Sequence, residues 1–320
     1  MGDLEHNAAG SSHRPARRFV VVLAVLGAAL VLAPVAMGMF SKAPAGAEML
    51  TEFTPLMSAE RLDGFSGHLD TIDAAVSELD AAGTPATNPE YAAFSTQWPV
   101  IDDDMSGLMD QVTDNLGNYQ AMASLPSFRL FPWFFLVPGA LVALVALVSL
   151  ALGRWTRAAQ VSVAAVGLGL VAIPLAFGMF SKGPKGGEMM NAFRDLETSE
   201  NVARIQGYFS QMAVGQGSIR LQVVPALEKG GLSAAEVARE YPATTRLNEQ
   251  WVPILIDMTP MIGAMSDNVD NYDAIRSMPP FSLFGWAFLV PGLIVVGLAV
   301  AAGPPRPLVP ARPVTRGEPS

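Results

Sequence analysis

The chain has 320 residues, 51% of them hydrophobic and 15% charged, with a net charge of −9 and no cysteine. Without cysteine there is no disulfide, no thiol chemistry and no Cys-ligated metal. An acidic chain also offers no basic face to nucleic acid.

Residues 1–18 read as a disordered cytoplasmic tail. Gly2 stands where an N-myristoyl acceptor would, but His6 occupies the place that signal reserves for Ser or Thr. Residues 19–40 then run without a charge, as do 130–153, 158–180 and 281–303. At about 1.5 Å per residue, such segments cross a hydrocarbon core of about 30 Å with modest tilt. Four transmembrane helices are predicted. The first segment has a competing reading as a cleaved secretory signal, with Ala43-Pro44-Ala45 or Ala45-Gly46-Ala47 at the cleavage site. Its length and its internal counterpart at 158–180 favour a retained span.

Charge sets the expected orientation. Arg14, Arg17, Arg18, Arg154, Arg157, Arg306, Arg312 and Arg316 outnumber Asp3, Glu5 and Glu318 on the short segments. The positive-inside rule places both termini and the 154–157 loop in the cytoplasm. Residues 41–129 carry 14 carboxylates and 3 cations (14 − 3, net −11), and residues 181–280 carry 12 and 9 (12 − 9, net −3). These two long loops are expected outside. Arginine outnumbers lysine and alanine is abundant, a composition that fits the plasma membrane of a GC-rich bacterium.

The chain repeats itself. Gly38-Met39-Phe40-Ser41-Lys42 returns as Gly178-Met179-Phe180-Ser181-Lys182, an offset of 140 (178 − 38). Asn118-Tyr119 and Leu136-Val137-Pro138-Gly139 return as Asn271-Tyr272 and Leu289-Val290-Pro291-Gly292, an offset of 153 (271 − 118). The second copy therefore holds 13 additional residues between its motifs, assigned to an insert at about 213–242. A two-span unit must re-enter in the same orientation, so repeat and charge bias agree.

Within the loops the period is helical. Leu62, Phe65, Leu69, Ile72, Val76 and Leu79 form one stripe; Ile101, Met105, Leu108, Val112, Tyr119 and Met122 form another. Ile254, Met258, Met261, Met265, Tyr272 and Ile275 repeat the second. Residues 219–224 are the short strand candidate. Gly83-Thr84-Pro85 signals the turn between ascending and descending legs, and Ser233-x-x-Glu236 a capping box that starts a short helix. The fold class expected is an all-α integral membrane protein: four spans in two tandem repeats, each repeat carrying an extracytoplasmic helical hairpin. A hairpin cannot bury its stripe alone, so the two hairpins are expected to share one core; two separate small bundles are the alternative.

Candidate chemistry is sparse. Asp102, Asp104 and Asp110 follow the start of an EF-hand loop, but Thr113 stands where the bidentate Glu belongs, and a solvated acidic helix face explains them better. Met49, Met105, Met109, Met122, Met189, Met190, Met258, Met261 and Met265, outside the spans, can ligate Cu(I), yet most fall on the buried stripes, where Met is ordinary filler. No Ser-His-Asp set, HExxH motif or phosphate-binding glycine loop is present, so no enzyme and no cofactor is expected. The spans lack intramembrane charge, which disfavours a self-contained transporter. Pro34, Pro138, Pro174 and Pro291 lie in the outer halves of the spans as candidate hinges. Ala29-x-x-x-Ala33 and Ala165-x-x-x-Gly169 permit close helix contact. Asp104, Asp114 and Asn118 recur as Asp257, Asp267 and Asn271, either bridging the hairpins or offering a surface to a partner. The expected role is binding: a scaffold, envelope-associated factor or accessory subunit that meets the bilayer and a protein partner or itself. The rival is a transport or sensory component with proline-hinged spans.

Overall fold

The computed structural model describes residues 13–303 and 306–307. Residues 1–12 of the expected tail, with Gly2 and His6, lie outside them, as do Arg312 and Arg316. Thirteen α-helices carry the described chain: α1 (His13–Ala36), α2 (Met39–Phe53), α3 (Ala59–Ala81), α4 (Pro89–Asp114), α5 (Leu116–Ala123), α6 (Phe131–Ala151), α7 (Arg157–Ala176), α8 (Met179–Ala192), α9 (Ser199–Ser218), α10 (Val224–Lys229), α11 (Ala234–Glu240), α12 (Pro242–Arg276) and α13 (Phe284–Ala301). Arg154–Trp155 and Arg306–Pro307 add one two-residue antiparallel pairing. The chain divides into two compact units, one drawing on the stretch up to Pro44, Leu125–Pro184 and the stretch from Met278, the other on Ala45–Ser124 and Lys185–Ser277.

The first unit contains the four helices long and apolar enough to cross a membrane, at Arg17–Ala36, Phe128–Ala151, Arg157–Ala176 and Phe281–Ala301. Two of the expected spans stop four residues early, because Gly38 and Gly178 both take φ +64, the left-handed conformation that ends a helix. A fresh helix begins at the next residue, and Ser41 and Ser181 Oγ donate back to the carbonyls of Gly38 and Gly178 at 2.9 and 3.0 Å. The shared Gly-Met-Phe-Ser-Lys motif is thus a helix stop and restart. In the same way, residues 13–18 of the expected tail join α1.

Helix α1 packs on α6, and α7 on α13, at matched glycines. A Cβ on Gly27 would meet the Gly139 carbonyl oxygen at 2.7 Å, and one on Gly292 the Gly167 carbonyl oxygen at 2.9 Å. Close approach of backbones is how helices associate where no hydrophobic drive exists between them. The small residues that do this are not those singled out above: Ala29 and Ala165 are exposed, and Gly169 has open space around it.

Between α6 and α13 runs a ladder of phenylalanines that are equivalent at the 153 offset. Phe128 stacks on Phe281 (5.7 Å), Phe131 meets Phe284 (5.5 Å), and Phe135 stacks on Phe288 (4.2 Å). Val142, Val295, Ala146 and Ala299 continue it, all fully buried.

In the second unit α3 packs on α4 and α12, and α9 packs on the same two helices. One core serves all four, with Leu62, Phe65 and Leu69 from α3, Trp98 and Ile101 from α4, Val202 and Ile205 from α9, and Trp251 and Ile254 from α12. Both loops therefore contribute to one compact body, and two separate bundles do not form. Polar ties fix the helices in register: Trp98 Nε1 donates to Asp73 (2.9 Å), and Tyr91 Oη donates to Asp80 (2.8 Å). The insert differs from expectation. Gly215, inside α9, leaves room for the Phe94 ring, and the strand candidate is a π-helical turn, Ile219–Val223, that carries α9 on into α10. The capping box forms as read: Ser233 Oγ accepts from the Glu236 amide at 3.3 Å and the Glu236 carboxylate accepts from Ser233 N–H at 2.8 Å.

Candidate functional site

The acidic residues picked out by sequence fall into three groups. Asp102, Asp104 and Asp110 sit on the uninterrupted helix α4. About 100° of rotation per residue sends them off the axis in different directions, and among the described residues no group of three or more His, Asp or Glu side chains converges on a metal position. Burial, followed by the charges of Asp73 and Asp70, pushes the Asp102 carboxyl above its ordinary value. Asp102 thus lies on a crowded acidic face.

Asp104 and Asp257 are ties between the two halves of the unit. Asp257 accepts from Arg61 (3.0 Å) and pairs with His68 (3.1 Å); its carboxyl is held below the usual range by His68 first and Arg61 second. At the equivalent place Asp104 accepts from Tyr208 Oη and pairs with Arg204 at 3.4 Å. His68 and Tyr208 are themselves equivalent at the 140 offset (208 − 68), so each ascending helix reaches the aspartate of the other half. Asn118 and Asn271 donate to Asn115 and Asn268 one turn earlier, at 3.2 and 3.0 Å. Asp114 and Asp267 stay exposed. Pro34, Pro138, Pro174 and Pro291 all lie inside continuous helices.

The feature that sequence reasoning did not find is a cavity of about 60 Å³ inside the second unit. It lies between equivalent residues: Met49 faces it with Met189, Phe53 with Phe193, and Tyr119 with Tyr272. Met109, Met190, Met261 and Met265 add thioethers, and Met57 brings the total to seven. Both tyrosines are spent on the backbone, Tyr119 Oη donating to the Leu50 carbonyl at 2.7 Å and Tyr272 Oη to the Met190 carbonyl. Leu50 and Met190 are again equivalent (190 − 50 = 140).

At one position of the lining an apolar residue is matched by a charged one. Where the first half has Met57, the second has Glu197 (197 − 57 = 140), the charged side chain of the lining. Glu197 is 8% exposed and its Oε2 has no hydrogen-bond partner. Burial alone pushes its carboxyl up to about 8. The turns around the two residues are otherwise alike, Ser58 capping α3 through Arg61 N–H and Thr198 capping α9 through Asn201 N–H. The swap is readable once the halves are aligned, but burial and cavity are not, because they arise where α2, α3, α4, α5, α8 and α12 meet.

No family model, curated protein or solved structure matches the chain.

Proposed function

We propose that the chain is a four-span bacterial plasma-membrane protein built by tandem duplication of a two-span unit, with termini in the cytoplasm and the two acidic loops joined in one extracytoplasmic helical module. The module acts by binding, as a scaffold, envelope-associated factor or accessory subunit, and not as an enzyme. The observation that carries this reading is the apolar packing of the span-containing unit, where Phe135 stacks on Phe288 and Val142, Val295, Ala146 and Ala299 are fully buried. Among the described residues the ion pairs and the buried unpaired carboxylate lie in the other unit. Because Asp104 and Asp257 are engaged internally, Asp114 and Asp267 are the carboxylates free to face a partner.

A photocrosslinking residue at position 114 or 267 tests it in cells. The expected result is one reproducible adduct that disappears when the crosslinker is moved to the buried position 105; adducts with no preferred partner overturn the reading. The rival transport reading is checked with purified protein in liposomes, where flux above that of empty vesicles would favour it.

A further inference from the structure

We propose that the methionine-lined cavity binds a soft monovalent metal cation of the Cu(I) or Ag(I) class, with thioethers as ligands and Glu197 supplying the balancing charge.

Thioether sulfur is soft and uncharged and selects Cu(I)-like ions over those that want nitrogen or oxygen. Of the 16 methionines in the chain, seven line this one cavity. Methionine as a flexible gap-filler accounts for such a lining by itself, but it does not account for Glu197. A buried carboxyl with an oxygen that lacks a hydrogen-bond partner is costly, and as an anion it is costlier still unless paired; the equivalent Met57 shows that the same turn closes well around an apolar side chain. The acid is therefore not there for packing.

A cation removes that cost, and the lining decides which cation. Calcium takes six to eight oxygens and magnesium near-ideal octahedral oxygen geometry; one carboxylate and two tyrosines already donating to carbonyls do not supply them. Drug-sized ligands occupy about 300–1,000 Å³, whereas this cavity measures about 60 Å³. A single ion is within that volume. The net −11 and −3 of the two loops raise the local concentration of cations around the unit.

The test uses the full chain in detergent with His6, His13 and His68 replaced by alanine, so that imidazole ligands are absent. Ag(I) is titrated calorimetrically, and Cu(I) against a chromophoric chelator under anaerobic conditions. One equivalent should bind, with a sulfur-only inner shell by X-ray absorption. Met189→Leu combined with Met265→Leu should weaken binding at least tenfold while leaving the melting temperature of the metal-free protein nearly unchanged, since Leu for Met conserves volume. Glu197→Gln should weaken it at least tenfold, and Glu197→Met, which copies the residue at position 57, should do the same in a protein that folds at least as well. Absence of binding at micromolar metal, a nitrogen or oxygen shell, or affinity indifferent to the Met→Leu pair overturns the proposal. So does a neutral dye such as Nile red that binds with Glu197 dependence while Ag(I) and Cu(I) do not, which would identify an apolar-ligand site. The outcome is independent of the crosslinking at positions 114 and 267.

Discussion

A carboxyl group kept neutral at pH 7 ties the stability of its unit to pH. Glu197 has a folded-state pKa near 8, raised by burial from an ordinary 4.5. Between those values the folded chain holds a proton that the unfolded chain has released. The contribution is complete below about 4.5 and is lost as pH rises through about 8. Melting of the chelator-treated protein should therefore fall steadily from pH 5 to pH 8.5, by an amount on the order of a few kcal/mol, and Glu197→Met should flatten the profile. A wild-type profile as flat as the variant's would mean that the carboxyl reaches solvent. Glycines give a second residue-scale prediction. Gly139→Ala places a methyl 2.7 Å from Leu30 Cβ and 2.8 Å from the Gly27 carbonyl oxygen, whereas Gly169→Ala meets nothing within 4 Å. Overpacking of this kind costs about 1–3 kcal/mol, so the first variant should melt lower in detergent and the second should match wild type.

At the scale of elements, the longest helix begins on a borrowed cap. The Glu78 carboxylate, from α3, accepts from the backbone N–H groups of Ala243 and Thr244 at 3.1 and 2.8 Å and from Thr244 Oγ1 at 2.8 Å. A negative charge at a helix N-terminus meets the orphan donors of the first turn. Glu78→Ala should cost about 1–2 kcal/mol and raise amide exchange at residues 243–245 before the rest of α12. The Asp257 tie is different in kind, since Asp257 and Arg61 are each about a third exposed; Asp257→Ala should cost under about 1 kcal/mol. Equal losses for the two variants, measured by denaturant unfolding, would contradict this ranking. The asymmetry of the descending legs belongs to this scale too. Asn115 interrupts the first as α4 and α5, while the 35 residues of α12 run unbroken past Pro253 and Pro260. Sequence periodicity read both legs as one helix because a one-residue break shifts a stripe too little to show.

For the whole molecule, the absence of cysteine makes topology directly measurable. With Ala81→Cys, Lys229→Cys and Ala8→Cys made singly, an impermeant thiol reagent on intact cells should label the first two and spare the third; the reverse pattern would invert the proposed orientation. Much of this architecture was legible from the chain alone. Uncharged runs of 22 to 24 residues are long and apolar enough to cross a bilayer, and stripes at helical spacing bury themselves as helices. The capping box and the four apolar segments follow from such local rules. Other features depend on residues far apart in sequence. Gly27 against Gly139, Phe135 against Phe288 and Asp257 against His68 are decided by which helix meets which, and so is the burial of Glu197 among methionines. Local periodicity fixes which face of a helix is apolar but carries no term for the neighbour that face will find, so only the assembled core could turn two matched stripes and one unmatched acid into a site.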